Sequence, residues 1–159
     1  MHRVNERAYL LIGVIPPCVL GLLTGFINRG KITAVVKEIN KPPLTAPTFV
    51  IILIWIALYV ILGLATVLIL ESRVYSKEKL NALVVSYGQL LLHSVWVLVF
   101  FRLGFFGLAF LIHVLFLCLI CINGILFYQI DKRAGYMIVP YFVFAFYHTY
   151  LNLLCIFIN

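Results

Sequence analysis

The sequence predicts an all-α protein, an integral membrane five-helix transmembrane bundle. Of its 159 residues 65% are hydrophobic and 11% are charged, and the mean hydropathy is +1.15. Such a chain has too little polar surface for a water-soluble domain. Five uncharged runs reach the roughly 20 residues that cross a hydrocarbon core about 30 Å thick. The links between them are short apart from the first, so we treat residues 1–159 as a single transmembrane domain.

The net charge of +7 would point to nucleic acid if the protein were soluble. Here the basic residues lie in the terminus and the connections, where they bind lipid head groups and set topology. We therefore expect membrane lipid as a partner and no nucleic acid. The four cysteines lie inside apolar runs and are interpreted as reduced, small hydrophobic residues.

The first helix is predicted at 8–27, with a kink at Pro16–Pro17. One face of this helix is small and weakly polar, which suits close packing. The connection 28–47 is predicted to be a loop that covers a ligand site, with a short surface helix in its middle. The residues of the small face are Pro17, Gly21, Thr24 and Asn28.

The second helix is predicted at 48–70, directly after three prolines that stiffen its entry. Its 23 residues carry no charge. Trp55 and Tyr59 share one face with Leu62 and Thr66, at the i, i+4, i+7, i+11 spacing. A face that carries both polar-tipped aromatic side chains of the helix is expected to look at protein or ligand.

The third helix is predicted at 80–101 and repeats this spacing with an amide, an imidazole and an indole, which need partners away from water. Those residues are Gln89, His93, Trp96 and Phe100. The fourth helix is predicted at 106–128, with His113 and Asn123 as its main polar groups. The fifth, at 136–158, carries the clearest polar stripe, formed by Tyr141, Phe144, His148, Asn152, Cys155 and Asn159.

The predicted spans contain no Asp or Glu, which argues against ion-coupled transport. The pair Cys118 and Cys121 lacks further metal-ligand partners and indicates packing. The three interior histidines His93, His113 and His148 admit two interpretations, ligands of a haem iron or hydrogen-bonded interior groups. For His93 and His148, a shared cavity is the prediction.

Three groups of residues together resemble the TspO family of tryptophan-rich sensory proteins, whose mitochondrial relatives are the translocator proteins or peripheral benzodiazepine receptors. The resemblance covers nearly the whole chain. The first group is Lys41-Pro42, Pro47, Trp55, Leu58-Tyr59, Gly63 and Ala65; the second is Gln89-Leu90, Trp96, Phe100-Phe101 and Gly107-Leu108-Ala109; the third is Pro140-Tyr141, Thr149-Tyr150-Leu151-Asn152 and Asn159.

The resemblance implies a five-helix bundle, usually a homodimer, with a cavity under the first loop that accepts porphyrins and isoquinoline or benzodiazepine drugs. It implies a receptor in the bacterial cell membrane, with porphyrin or haem as ligand, no required cofactor, no metal ligand and no catalytic residue. The predicted ligand-binding residues are Pro42, Trp55, Tyr59, Gln89, His93, Trp96, Phe100, Phe144, His148 and Asn152. The candidate dimer contacts are Gly21, Gly25, Ser86 and Gly88.

The sequence also departs from the family pattern. His93 stands where the family has asparagine, Phe144 where it has tryptophan, and His148 where it has alanine. Two functions remain open. One is a binding protein for a flat hydrophobic molecule with a polar edge, such as a tetrapyrrole. The other is an enzyme that degrades porphyrin, or a haem-binding protein that ligates iron through His93 or His148.

Overall fold

A computed structural model describes residues 2–73 and 76–159, and the side chains of 8–73 and 77–159. The described residues form five long α-helices, each long and apolar enough to cross a membrane. The prediction of an all-α membrane bundle is therefore confirmed. The helices are α1 (His2–Glu38), α2 (Thr48–Glu71), α3 (Ser76–Leu98), α4 (Phe106–Ile130) and α5 (Lys132–Ile158).

The helices pack as a ring, in which α1 lies against α2, α2 against α5, α5 against α4, α4 against α3, and α3 against α1. Large apolar side chains such as Leu62, Phe116 and Phe127 fill one part of the interior and are fully buried. A second cluster forms around Trp96 and Phe100, near the end of α3. The ring leaves room for a cavity between α1, α2, α3 and α5.

The small-residue face of α1 packs inward, as the sequence predicts. A Cβ added at Gly63 of α2 would lie 2.7 Å from the Cα of Val14 of α1, so α1 and α2 approach closely. The hydroxyl of Thr24 hydrogen-bonds the hydroxyl of Ser94 on α3, 3.1 Å away. The face is therefore committed to contacts within the bundle.

Two of the four candidate dimer contacts are already used inside the chain, which corrects that prediction. Gly21 packs against the ring of Tyr59, where even a Cβ would overlap it. Ser86 is 1% exposed. Around Gly25 and Gly88 no heavy atom lies within 4 Å of an added Cβ. Gly25 lines the cavity described below, so Gly88 is the residue that stays a candidate.

The predicted loop 28–47 is mostly helix, because α1 continues through Pro16–Pro17 and ends only at Glu38. The non-helical connection is residues 39–47. Apolar residues at helical spacing explain the difference: Ile32, Val35 and Ile39 pack against the cluster around Trp96. The short surface helix expected in this stretch is thus a continuation of α1 that folds onto the bundle.

The ends of α3 and α5 are set by local geometry. A π-helical segment, Val99–Leu103, follows α3 and stops at Gly104, whose φ of 66° is in the left-handed region that favours glycine. At the start of α5, the backbone N–H of Arg133 donates to the Asp131 carboxylate at 2.8 Å. The Arg133 side chain also hydrogen-bonds this group and lowers the pKa of Asp131.

Candidate functional site

A cavity of about 870 Å³ lies between α1, α2, α3, α5 and the connection 39–47. Ligand sites of about 300–1,000 Å³ are usual for small molecules and cofactors. All the predicted ligand-binding residues except Gln89 and Phe144 line this cavity. The ones that do are Pro42, Trp55, Tyr59, His93, Trp96, Phe100, His148 and Asn152. Their role in binding stays a prediction.

The deep end of the cavity is formed by six side chains that we call the cavity wall: Trp55, Tyr59, His93, Trp96, His148 and Asn152. The His93 ring lies between the two indoles, 4.2 Å from the Trp55 ring and 5.4 Å from the Trp96 ring, centroid to centroid. The planes of His93 and Trp96 are 17° apart, so these rings stack. The wall thus presents aromatic surfaces from three helices to one space.

Hydrogen bonds fix the orientation of the cavity wall. The Tyr59 hydroxyl and His93 Nδ1 share a hydrogen bond of 2.8 Å. Trp96 Nε1 donates to Asn152 Oδ1, also at 2.8 Å. The Asn152 amide in turn donates to the backbone carbonyl of His148 at 2.7 Å. Because each bond joins two buried groups, the indole and imidazole rings are held in place rather than free to rotate.

His148 lines the cavity, as its position on the polar stripe predicts. Its ring centroid lies 5.4 Å from Trp55 and 5.7 Å from Trp96. Both of its ring nitrogens are enclosed and have no hydrogen-bond partner among the described residues. His113 of α4 lies behind the wall, 5.7 Å from the His148 ring. In the part of the chain that the structure describes, no three metal-ligating side chains are grouped to hold an ion.

Gln89 and Phe144 lie outside the cavity. Phe144 is half-buried and stands behind Trp55 and His148, at 5.4 Å from each ring. Gln89 is fully buried one helical turn from His93, and neither atom of its amide has a partner among the described residues. The amide of Asn123 and the hydroxyl of Tyr141 share this condition. We call Gln89, Asn123 and Tyr141 the interior polar set.

The sequence reasoning missed the contribution of α1 beyond residue 28, because it treated this stretch as a loop. Arg29, Thr33 and Lys37 line the cavity at i, i+4 and i+8 on the continued helix. Lys41 lines it from the connection. The spacing of Arg29, Thr33 and Lys37 was a readable signal, since residues four apart share a helix face.

The connection 39–47 is tied to α5 at two points. Asn40 and Asn159 form two hydrogen bonds, from Asn40 N to Asn159 Oδ1 at 2.8 Å and from Asn159 Nδ2 to Asn40 O at 3.1 Å. The Tyr147 hydroxyl donates to the Leu44 carbonyl at 2.9 Å and accepts from the Ala46 N–H at 3.1 Å. The cavity is therefore covered by a segment with fixed anchors.

Comparison with known proteins agrees with this architecture. A family model described as the TspO/MBR family matches residues 13–157. The chain belongs to this family. It is similar to a tryptophan-rich sensory protein of Cereibacter sphaeroides, with 29% identity over 116 residues that cover 72% of this chain and 70% of the relative. The family predicted from the three groups of motifs is thus confirmed, and the chain is a TspO-type integral membrane protein.

Proposed function

We propose that this protein is a binding protein of a bacterial cell membrane that holds a porphyrin, or a similarly flat hydrophobic molecule, in the cavity. The observation that carries the proposal is the cavity wall. It contains both tryptophans of the chain, and they flank an imidazole within a space of about 870 Å³. Aromatic faces supply stacking area for a flat ring, while a few fixed polar groups orient its edge.

Affinity in the micromolar range is expected, which corresponds to about −8 kcal/mol. Both indoles line the cavity, so a bound porphyrin should quench most of the tryptophan fluorescence. The test is a titration of the purified protein with protoporphyrin IX, beside an unrelated membrane protein at equal concentration. Quenching that is no larger than in the unrelated protein would remove the proposal.

A second candidate, haem binding with or without porphyrin breakdown, is favoured by the two cavity histidines. His93 Nε2 and both nitrogens of His148 have no partner among the described residues. These atoms are enclosed, so iron ligation requires an imidazole to turn toward the cavity. A shift of the Soret band when haem is added, lost in His148→Ala or His93→Ala, would support ligation. An unshifted Soret band would contradict iron ligation and leave binding without ligation as the function.

A homodimer is also proposed, through the outer face of α3 at Gly88. Val84, Leu91 and Val95 are exposed on this helix, and Gly88 lies among them with open space around it. Small residues let helix backbones approach closely in lipid. The mass in mild detergent and in nanodiscs should be that of a dimer, and Gly88→Leu should shift it to a monomer. A monomer in both media for the unchanged protein would contradict this.

A further inference from the structure

The cavity is asymmetric in charge. Its deep end carries neutral aromatic and amide groups, whereas three cationic residues, Arg29, Lys37 and Lys41, line its outer end and are exposed. Among the residues that the structure describes, no acidic side chain lines the cavity. A cavity with an apolar interior and a cationic rim suits a ligand that is apolar at one end and anionic at the other.

The two cations of α1 are placed by the helix that replaces the predicted loop. Arg29 and Lys37 lie eight residues apart on the same face, which corresponds to a rise of about 12 Å along the axis. The guanidinium carbon of Arg29 lies 4.6 Å from the centre of the Phe26 ring. This contact holds the side chain over the helix but leaves its N–H groups free to bind an anion.

Lys41 approaches from the connection, between the Asn40–Asn159 and Tyr147 anchors that hold this segment on α5. Its backbone is therefore placed by hydrogen bonds on either side. Among the described residues, the one ion pair joins Arg133 and Asp131, at the far end of α5. Arg29, Lys37 and Lys41 therefore have no carboxylate partner among the described residues, although Glu38 follows Lys37 in the sequence.

We propose that the cavity takes an amphiphile that carries carboxylate or phosphate groups, with its anionic end bound by Arg29, Lys37 and Lys41 and its apolar body against the cavity wall. This inference rests on the proposed function and names the chemistry of the ligand. Two sources share that chemistry, a carboxylated tetrapyrrole and an anionic phospholipid. The plain alternative is that these cations only attract anionic head groups to the membrane surface.

The experiment compares protoporphyrin IX, which has two carboxylates, with its dimethyl ester, which has none. Affinities come from tryptophan quenching in neutral nanodiscs, for the unchanged protein and for a triple variant, Arg29→Gln, Lys37→Gln and Lys41→Gln. The matched control is Lys31→Gln, since Lys31 is an exposed cation on the same helix that does not line the cavity. Ratios between protein variants cancel the different partitioning of the two ligands into lipid.

The triple variant should weaken binding of the diacid about 10-fold, because exposed ion pairs are individually weak and three of them act together here. Binding of the ester should change less than about 2-fold, and Lys31→Gln should leave both affinities within that range. The diacid effect should shrink at high salt, since exposed charges are screened. Equal weakening of acid and ester, or an equal effect of Lys31→Gln, would overturn the inference.

The lipid arm repeats the diacid titration in nanodiscs that contain phosphatidylglycerol. The anionic lipid surface repels the diacid and should weaken its binding to both proteins alike. If lipid phosphate occupies the rim, the weakening should be larger in the unchanged protein than in the triple variant. If a carboxylated tetrapyrrole is the ligand, the two proteins should be weakened equally. A larger weakening in the triple variant would contradict a rim site. If neither the acid nor the ester quenches the tryptophan fluorescence, the proposed function, porphyrin binding in the cavity, is itself contradicted.

Discussion

The cavity wall and the interior polar set are both made of buried polar and aromatic residues, yet they differ in how their polar groups are satisfied. In the wall, Tyr59 is bonded to His93 and Trp96 to Asn152, each at 2.8 Å, while His93 Nε2 and both ring nitrogens of His148 have no partner among the described residues. In the interior polar set, the side-chain polar atoms have no partner among the described residues. Preorganised groups facing a cavity are typical of binding sites, while unpaired interior groups destabilise the fold. The two bonded pairs of the wall therefore support the proposal that a ligand binds there.

The largest expected effect comes from the helix that supports the wall. Gly21→Leu should lower the free energy of unfolding by about 2–4 kcal/mol, because the new side chain overlaps the ring of Tyr59 and strains its bond to His93. Gly25→Leu, on the same helix, meets no heavy atom at its Cβ and serves as the control. Denaturation in detergent, followed by circular dichroism, measures both. An equal loss of unfolding free energy in both variants would mean that Gly21 does not pack closely against Tyr59.

Two asparagines test the comparison directly. Asn152→Leu should lower the free energy of unfolding by about 1–3 kcal/mol, because it leaves the buried N–H of Trp96 without an acceptor. Asn123→Leu removes two polar atoms that have no partner, so it should be neutral or stabilising. The same denaturation assay applies. If both substitutions destabilise equally, Asn123 has a partner and the distinction between wall and interior fails.

His148 should limit the size of rigid ligands. It lines the cavity between Trp55 and Trp96, where the family pattern has alanine, so His148→Ala should strengthen binding of the family's drug-like ligands by about 1–3 kcal/mol. Competition with a labelled isoquinoline measures the change, with Phe144→Ala as a control outside the cavity. Tight binding by the unchanged protein together with no gain in the variant would show that His148 does not restrict the space.

Two tyrosines give the smallest effect. Tyr59→Phe should lower the free energy of unfolding by about 1 kcal/mol, the usual net contribution of one hydrogen bond. Tyr141→Phe removes a buried hydroxyl that has no partner, and we expect no loss of stability. A loss at Tyr141 as large as that at Tyr59 would show that the Tyr141 hydroxyl also has a hydrogen-bond partner, which contradicts the distinction.

The sequence was sufficient to predict the membrane bundle and to place all six residues of the cavity wall on inward faces. Trp55, Tyr59, His93, Trp96, His148 and Asn152 could be placed because uncharged spans and helical spacing both leave strong signals. Helical spacing shows which residues share a face but not how far along the helix the cavity extends. This is why Gln89 and Phe144 were predicted to line the cavity and do not. Gln89 shares the stripe of His93 but lies beyond the end of the cavity, and Phe144 is displaced from it by Trp55 and His148.

The cationic rim was missed because the spacing of Arg29, Thr33 and Lys37 has meaning only if this stretch is helical, and its helical state depends on tertiary contacts. The stretch after Asn28 is polar enough to be interpreted as a loop, but packing of Ile32, Val35 and Ile39 on the cluster around Trp96 keeps it helical. Helical stability in proteins comes largely from such packing rather than from local preference. Only this continuation brings Arg29 and Lys37 to the cavity.

The central claim is that a flat ligand lies against both indoles of the cavity wall, and single-tryptophan variants test it most directly. Trp55→Phe leaves Trp96 as the sole tryptophan, and Trp96→Phe leaves Trp55. We predict that saturating protoporphyrin IX quenches most of the fluorescence in each variant, at similar porphyrin concentrations. Quenching no stronger in either variant than in an unrelated membrane protein would contradict it.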